Sequence, residues 1–202
     1  MLDRHLRPLI DPPLNRLGAR LAMARVGADA VTLVGMLLGL AAAACIAAGW
    51  WLAALGLILA SRLADGLDGA VARAGTPSDF GGYLDIVADF VFYAAIPLGF
   101  ILADPGANGL AGAALIAAFY VNAATFLGYG ILAAKRGLSG AVNGPKAWYH
   151  ATGLLEGTET IAFFAAFCLF PAAFAPLAWV FAALCLVTAA LRVLAAREAF
   201  RD

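Results

Sequence analysis

Charged residues are scarce in this sequence. They make up 13% of its 202 residues, about half the share that is typical of soluble domains. The basic and acidic residues balance to a formal net charge of zero, so there is no bulk positive charge that would attract nucleic acid. Cysteines are few, and Cys45, Cys168 and Cys185 lie far apart in apolar runs, without metal-site spacing or a disulfide framework. The N-terminal segment lacks the apolar core and cleavage site of a secretory signal.

Hydrophobic residues, by contrast, are abundant. They make up 64% of the chain, and the mean hydropathy is +0.90, which places the protein in a lipid bilayer. A helix needs about 20 mostly apolar residues to cross roughly 30 Å of hydrocarbon. Such stretches predict six transmembrane helices, at residues 30–48, 52–67, 80–102, 110–134, 156–170 and 177–196. We therefore expect an all-α integral membrane protein with one membrane domain over residues 1–202 and a six-helix core over 30–196.

The segment before the first predicted span is basic. Residues 1–25 carry five arginines among apolar side chains. Pro8, Pro12 and Pro13 are expected to break the first half of this segment, because proline lacks the backbone donor that a helix needs. The second half, residues 14–25, predicts an amphipathic helix that lies on the membrane surface.

The basic residues all fall on one side of the predicted layout. The 13 lysines and arginines lie in the N-terminal segment, the 2–3 connection, the 4–5 loop and the C-terminal end, and the opposite loops carry none. Cytoplasmic loops carry the excess of Lys and Arg. We therefore expect a multi-pass protein of the cytoplasmic (inner) membrane with both termini in the cytoplasm.

Four aspartates interrupt the apolar pattern at the cytoplasmic ends of the second and third predicted spans. Asp65 and Asp68 are at positions i and i+3, and Asp85 and Asp89 are at i and i+4, so each pair shares one helix face. Two antiparallel helices with a short connection would bring all of these carboxylates into one pocket. Carboxylates so close repel one another unless a cation lies between them. Oxygen-only ligands suit Mg²⁺, Mn²⁺ or Ca²⁺, and the set is large enough for two ions.

Small residues accompany the aspartates, namely Gly66, Gly69, Ala72, Gly81 and Gly82. Residues of this size let a ligand approach the backbone closely. Arg73 supplies a planar cation that suits a phosphate group. The pattern therefore predicts a phosphate-bearing ligand next to the metal. Single aspartates near a helix end are often caps or solvated charges, but chance does not account for the whole set.

The run from Asp65 to Asp89 fits the pattern D-x2-D-G-x2-A-R-x7-8-G-x3-D-x3-D at every fixed position. It resembles the signature of the CDP-alcohol phosphotransferases, and the predicted six-span layout extends the resemblance along the chain. The resemblance implies transfer of a phosphatidyl group from a CDP-alcohol, such as CDP-diacylglycerol, to an alcohol, with release of CMP, in phospholipid biosynthesis. It also implies two Mg²⁺ or Mn²⁺ ions, an active site at the cytoplasmic face and a homodimer.

The resemblance assigns roles to individual residues. Asp65, Asp68 and Asp85 would bind metal. Asp89 would complete the metal site and act as the general base. The nucleotide would be bound by Thr32, Asp65, Gly66, Gly69, Ala72, Arg73 and Gly81.

One position departs from the family pattern. Asp29 stands where Asn is usual, shortly before Thr32 at the start of the first span. We interpret Asp29 as the N-cap of that helix, because a short side-chain oxygen can accept a hydrogen bond from the first turn.

The acceptor stays open at this point. Lys135, Arg136 and Lys146 would suit a phosphorylated acceptor, although they also fit positive-inside anchoring. Glu156 and Glu159 would suit a cationic acceptor such as choline, although they also fit a helix N-terminus.

Two rival functions are considered. Intramembrane carboxylates also mark ion pathways, so a divalent-cation transporter is one alternative. Arg73 next to the aspartates argues against it, because this cation would repel a permeant cation and attract a diphosphate. An inactive family member is the other alternative, and the intact motif disfavours it.

Overall fold

The structure is a computed structural model that describes residues 3–137 and 157–201. These residues form helices and no strand. The helices are α1 (Asp3–Met23), α2 (Ala28–Ala47), α3 (Trp51–Ala74), α4 (Asp79–Ala103), α5 (Pro105–Lys135), α6 (Gly157–Leu169) and α7 (Phe174–Ala199). A 3₁₀ turn, Pro171–Ala173, leads into α7. The all-α class predicted from composition is confirmed.

Four stretches of the described chain are long and apolar enough to cross a membrane. They are α2, α4, α5 and Pro171–Ala199, which contains α7. Helix α3 has 24 residues but carries too many charged side chains to meet the same criterion. Helix α6 is apolar but has only 13 residues. The protein is thus an all-α membrane protein with several apolar helices.

The predicted break in the N-terminal segment is wrong. Helix α1 is continuous from Asp3 to Met23 and contains Pro8, Pro12 and Pro13. It packs on α3: Leu14 is buried, and a Cβ added at Gly18 would lie 2.7 Å from Ala70. A proline removes one backbone hydrogen bond, and packing against a neighbouring helix can offset that loss.

The connection between α4 and α5 is shorter than the predicted loop at 103–108. Helix α5 begins at Pro105 rather than near Leu110, because Asp104 serves as its N-cap. The Asp104 carboxylate accepts a hydrogen bond from the Ala107 amide at 2.9 Å. A proline in the first turn costs no helical hydrogen bond, so the sequence at this point supports a helix start.

Aromatic packing holds α4, α6 and α7 together. Phe100 of α4 stacks on Phe174 of α7 with ring centroids 4.4 Å apart, and Phe163 of α6 stacks on Phe181 of α7 at 4.3 Å. Helices α2 and α4 approach closely, since a Cβ added at Gly99 would lie 2.7 Å from the Ala43 carbonyl oxygen. Close approach at small residues is the usual basis of helix packing in membranes.

Candidate active site

The aspartate pattern lies on two helices joined by a short connection. Helix α3 continues past its predicted end at residue 67 to Ala74, so Asp65 and Asp68 both sit in regular helix. Ser78 caps α4, accepting a hydrogen bond from the Gly81 amide at 2.9 Å, and α4 carries Asp85 and Asp89. Asp65 of α3 and Asp89 of α4 contact the same guanidinium, that of Arg62, so carboxylates of the two helices lie close together.

Helix α2 contacts the aspartates of the motif through Thr32. The Thr32 hydroxyl donates a hydrogen bond to Asp68 Oδ2 at 2.6 Å, and both residues are buried. One turn further along α2, the Gly35 carbonyl oxygen accepts a hydrogen bond from the Ser61 hydroxyl of α3 at 2.8 Å. These two hydrogen bonds fix the register of α2 against α3.

A first cavity, of about 440 Å³, opens where the N-terminal ends of α2 and α4 meet the C-terminal end of α3. We call it the donor cavity, after the role that is proposed for it below. Predicted site residues that line it are Thr32, Asp68, Gly69, Ala72, Gly81 and Asp85. Its remaining walls come from the residues that join or begin these helices. The structure therefore gathers most of the predicted nucleotide-binding set around one opening.

Asp65, Gly66 and Arg73 of that predicted set lie outside the donor cavity, and the last two contact α1. A Cβ added at Gly66 would meet the Leu14 side chain at 3.0 Å, so Gly66 allows α1 to pack. The Arg73 guanidinium donates to Asn15 Oδ1 of α1 at 3.0 Å. Neither residue lines the donor cavity.

Asp29 does line the donor cavity. The N-cap of α2 is Gly27, and Asp29 sits inside the first turn, so its interpretation as an N-cap is wrong. A Cβ added at Gly81 would lie 3.0 Å from Asp29 Oδ1, which shows how closely α2 and α4 approach there. The sequence signal that could have pointed to Asp29 as a cavity residue was its departure from the Asn that is usual at this position in the family pattern.

Arg62 is the main site residue that the sequence analysis missed. Its Nη1 donates to Asp89 Oδ1 at 2.6 Å and to Asp65 Oδ1 at 3.3 Å. The guanidinium carbon lies 3.9 Å from the centre of the Phe92 ring. Only 10% of the Arg62 side chain is exposed, against 35% for Asp65 and 32% for Asp89. Arg62 thus joins the two carboxylates from their buried side.

The four carboxylates fit the predicted metal by their chemistry, because hard divalent cations prefer oxygen donors. Across residues 3–137 and 157–201, however, no group of three or more Asp, Glu, His or Cys side chains is arranged to hold a metal ion. The contacts of Arg62 give the physical reason, since Asp65 and Asp89 are oriented towards a guanidinium.

A second cavity, of about 420 Å³, lies between α4, α5, α6 and α7. We call it the acceptor cavity, after the role that is proposed for it below. Asp89 lines it, together with Asn122, Thr160 and Arg192. Arg192 donates to Asn122 Oδ1 at 2.9 Å, whereas its buried Nε has no hydrogen-bond partner among the described residues. Asp85 borders the donor cavity and Asp89 the acceptor cavity, so one row of carboxylates separates the two.

The residues predicted to bind the acceptor lie outside both cavities or outside the described chain. Lys135 ends α5, and Arg136 donates to the Phe200 carbonyl oxygen at 3.1 Å. Glu159 lies in the first turn of α6 and lines neither cavity. Lys146 and Glu156 lie outside the described residues. The cation that lines the acceptor cavity is instead Arg192.

The family model described as CDP-alcohol phosphatidyltransferase matches residues 25–194, which include every residue that lines the two cavities. The chain belongs to the CDP-alcohol phosphatidyltransferase family. The sequence resemblance is thereby confirmed, and with it a transferase of the kind that carries out phosphatidyl transfer in phospholipid synthesis.

Two kinds of relative are similar in sequence. The inner membrane protein YnjF of Escherichia coli is 49% identical over 175 residues, covering 87% of this chain and 85% of that protein. The archaetidylinositol phosphate synthase of Methanothermobacter thermautotrophicus is 40% identical over 85 residues, covering 42% of this chain and 40% of that protein. The first similarity supports a multi-pass membrane protein along most of the chain.

Solved structures share the fold. A crystal structure of Mycobacterium tuberculosis phosphatidylinositol phosphate synthase with CDP-DAG bound has a TM-score of 0.70 and 19% identity, covering 94% of this chain and 97% of that chain. A second structure of that enzyme, in complex with manganese and citrate, has a TM-score of 0.66 and 21% identity, covering 91% and 88%. At 19% and 21% identity, these similarities show that the chain has the same fold as that enzyme.

Proposed function

We propose that this protein transfers a phosphatidyl group from CDP-diacylglycerol to an alcohol acceptor and releases CMP. The observation that carries the proposal is the row of carboxylates between two cavities, with Asp68 and Asp85 on one side and Asp89 on the other. A transferase needs to hold two substrates against each other at the point of reaction. The CDP-DAG-bound relative of the same fold supports the choice of donor.

We propose that Asp65, Asp68, Asp85 and Asp89 would hold two Mg²⁺ or Mn²⁺ ions. The ions would neutralise the diphosphate of the donor and stabilise the departing CMP. The manganese complex of the structural relative supports a divalent metal in this fold.

Asp89 is proposed as the general base. It borders the acceptor cavity, where it can accept the proton of the attacking hydroxyl. The donor nucleotide would lie in the donor cavity, where Gly69, Ala72 and Gly81 leave room for it and Thr32 orients Asp68. Gly66 contributes indirectly in this proposal, because it packs against α1. Arg73 donates to Asn15 of α1, but its Nη1 also lies next to Gly69 in the wall of the donor cavity, from where the guanidinium would contact a phosphate of the donor.

We propose a phosphorylated alcohol as the acceptor. Arg192 is a half-buried cation in the wall of the acceptor cavity. Hydrogen bonds between a guanidinium and a phosphate are charge-assisted and therefore stronger than neutral ones, so a phosphate group on the acceptor would gain affinity. Asn122 and Thr160 add polar groups suited to hydroxyls. The archaetidylinositol phosphate synthases among its relatives support a phosphorylated acceptor.

The membrane arrangement is part of the proposal. Residues 1–202 would form one membrane domain in which α3 and α6 also cross the bilayer, giving six spans over residues 30–196, with residues 1–25 on the membrane surface. Both termini and the active site would face the cytoplasm, because the 13 basic residues then share one side. A homodimer is proposed from the family resemblance. Reporter fusions at each loop and cross-linking of the purified protein test these two statements.

The decisive experiment measures CMP release from CDP-diacylglycerol by purified protein with Mg²⁺ or Mn²⁺. The acceptor panel contains glycerol 3-phosphate, inositol phosphate, inositol, serine, choline, ethanolamine and phosphatidylglycerol. We expect release with a phosphorylated acceptor, and loss of release in Asp89→Asn. Release with only an unphosphorylated acceptor would refute the proposed acceptor class but keep the enzyme class. No release with any acceptor, in folded protein that binds metal, would favour another CDP-linked donor. Metal flux into vesicles without nucleotide binding would favour the transporter alternative.

A further inference from the structure

Arg62 lies inside the carboxylate cluster that the proposed reaction needs for metal. Its Nη1 contacts the carboxylates of both Asp65 and Asp89, one on its own helix and one on α4. A single cation therefore bridges the two helices that carry the motif. In the metal-free protein this contact supplies positive charge to carboxylates that would otherwise repel one another.

The guanidinium is held firmly in that place. It stacks over the Phe92 ring, and its Nη2 lies 3.4 Å from the Ser61 hydroxyl, which is itself bonded to α2. Phe92 is fully buried in the aromatic core. The side chain of Arg62 is nine-tenths buried, and its Nε has no hydrogen-bond partner within residues 3–137 and 157–201. Leaving a buried donor unpaired is unfavourable. The contacts of Arg62 with the two carboxylates must therefore offset this cost and hold the side chain in place.

The two carboxylates are more open than the arginine. About a third of each side chain, 35% for Asp65 and 32% for Asp89, is exposed, whereas Arg62 is 10% exposed. A divalent cation can therefore approach from the open side while Arg62 stays on the buried side. The positive charge of Arg62 opposes that approach, and its hydrogen bonds compete for the same carboxylate oxygens.

We propose that Arg62 is an internal counter-ion of the metal site, which stabilises the metal-free fold and weakens metal binding. The inference rests on the proposed function for the presence of a metal. It assigns to Arg62 a positioning role rather than a direct role in the reaction. Removing its charge has two opposite consequences: the metal-free protein becomes less stable, and the affinity for a divalent cation increases.

The test uses the full chain, purified in detergent, with Mn²⁺ alone as the probe. Titration calorimetry gives the Kd of Mn²⁺, and thermal unfolding in EDTA gives the Tm of the metal-free protein. The variants are Arg62→Met and Arg62→Gln, which remove the charge, and Arg62→Lys, which keeps it without the flat group that stacks on Phe92. Arg197→Met is the matched control, because Arg197 is exposed on α7 and its loss changes the net charge equally.

We expect Arg62→Met and Arg62→Gln to lower the Tm in EDTA and to tighten Mn²⁺ binding by about tenfold or more, the scale of one charge-assisted hydrogen bond. Arg62→Lys should tighten binding by a smaller factor, and Arg197→Met should change neither quantity. Unchanged or weaker Mn²⁺ binding in the neutral variants would overturn the proposal. If neither neutral variant folds, Arg62→Lys decides, and binding no tighter than in the wild type overturns it.

The same titration separates this inference from the proposed function. Wild-type protein that binds no Mn²⁺ would contradict the proposed metal-dependent reaction. Binding that is gained in Arg62→Met would then still support the role of Arg62. Absence of binding in both proteins would overturn the two proposals together, whereas binding in the wild type with no gain in the variants would overturn only the role of Arg62.

Discussion

The hydroxyl of Thr32 donates a 2.6 Å hydrogen bond to Oδ2 of Asp68, and this contact joins α2 to α3 at the wall of the donor cavity. The two residues are 36 positions apart in the sequence. A buried carboxylate needs such a donor, because burial without a partner is costly. The contact thus couples the stability of the helix pair to the orientation of a proposed metal ligand.

Thr32→Val removes this hydrogen bond with little change of shape. We expect the free energy of unfolding to fall by about 1–3 kcal/mol, the usual cost of leaving a buried polar group unpaired. The affinity for the CDP-linked donor should fall as well. Chemical unfolding and CDP-diacylglycerol binding in the same detergent measure the two effects.

Thr188→Val is the matched control for this substitution. Thr188 is fully buried in α7, and its hydroxyl has no hydrogen-bond partner in the part of the chain that the structure describes. Its replacement removes no hydrogen bond, so stability should stay the same or rise. An equal loss of stability in both variants would show that the Thr32–Asp68 contact contributes nothing specific.

Gly81→Ala tests the donor cavity. The added methyl group would lie 3.0 Å from both Asp29 Oδ1 and Ser78 Oγ, at the mouth of the cavity. We expect the KM for CDP-diacylglycerol to rise by roughly tenfold, since about 1.4 kcal/mol of lost affinity corresponds to that factor. Gly128→Ala, where the added methyl group meets nothing within 4 Å, should leave the KM unchanged. A normal KM in Gly81→Ala would place the nucleotide elsewhere.

The features of this site that could be predicted from the sequence depend on local order along the chain. Asp65 and Asp68 share a helix face because a helix repeats every 3.6 residues, and no knowledge of the fold is needed for that. The contacts that were missed join distant positions. Arg62 and Asp89 are 27 residues apart, and Arg192 and Asn122 are 70 apart. In the sequence both arginines fit the positive-inside pattern equally well, so their partners became visible only when the helices were packed.

The metal proposal predicts different outcomes for two aspartates of α4. Asp85→Asn removes a charge from the donor cavity and should reduce CMP release by roughly 100-fold or more, with weaker Mn²⁺ binding. Asp79→Asn removes the same charge from an exposed position in the first turn of α4 and should change both quantities little. Wild-type activity should be lost in EDTA and restored by Mn²⁺. Activity that persists in EDTA would contradict the metal proposal.

Arg192→Gln tests the acceptor cavity. Arg192 lines this cavity and contacts Asn122, and a glutamine there keeps a polar group but removes the charge. We expect the KM for a phosphorylated acceptor to rise by roughly tenfold or more, because hydrogen bonds to charged groups are worth about 1.5–3 kcal/mol. The KM for CDP-diacylglycerol should stay the same, since Arg192 does not line the donor cavity. Initial rates over a grid of both substrate concentrations separate the two constants.

The control for this experiment is Arg197→Gln, which removes the same charge from an exposed position five residues along α7. It should leave both KM values unchanged. A pair of acceptors adds a further constraint. If Arg192 binds the phosphate, its loss should raise the KM for a phosphorylated alcohol and leave the KM for the corresponding unphosphorylated alcohol unchanged. An equal loss with both alcohols would indicate that Arg192 supports the cavity through Asn122, and the acceptor would then have to be identified by another group.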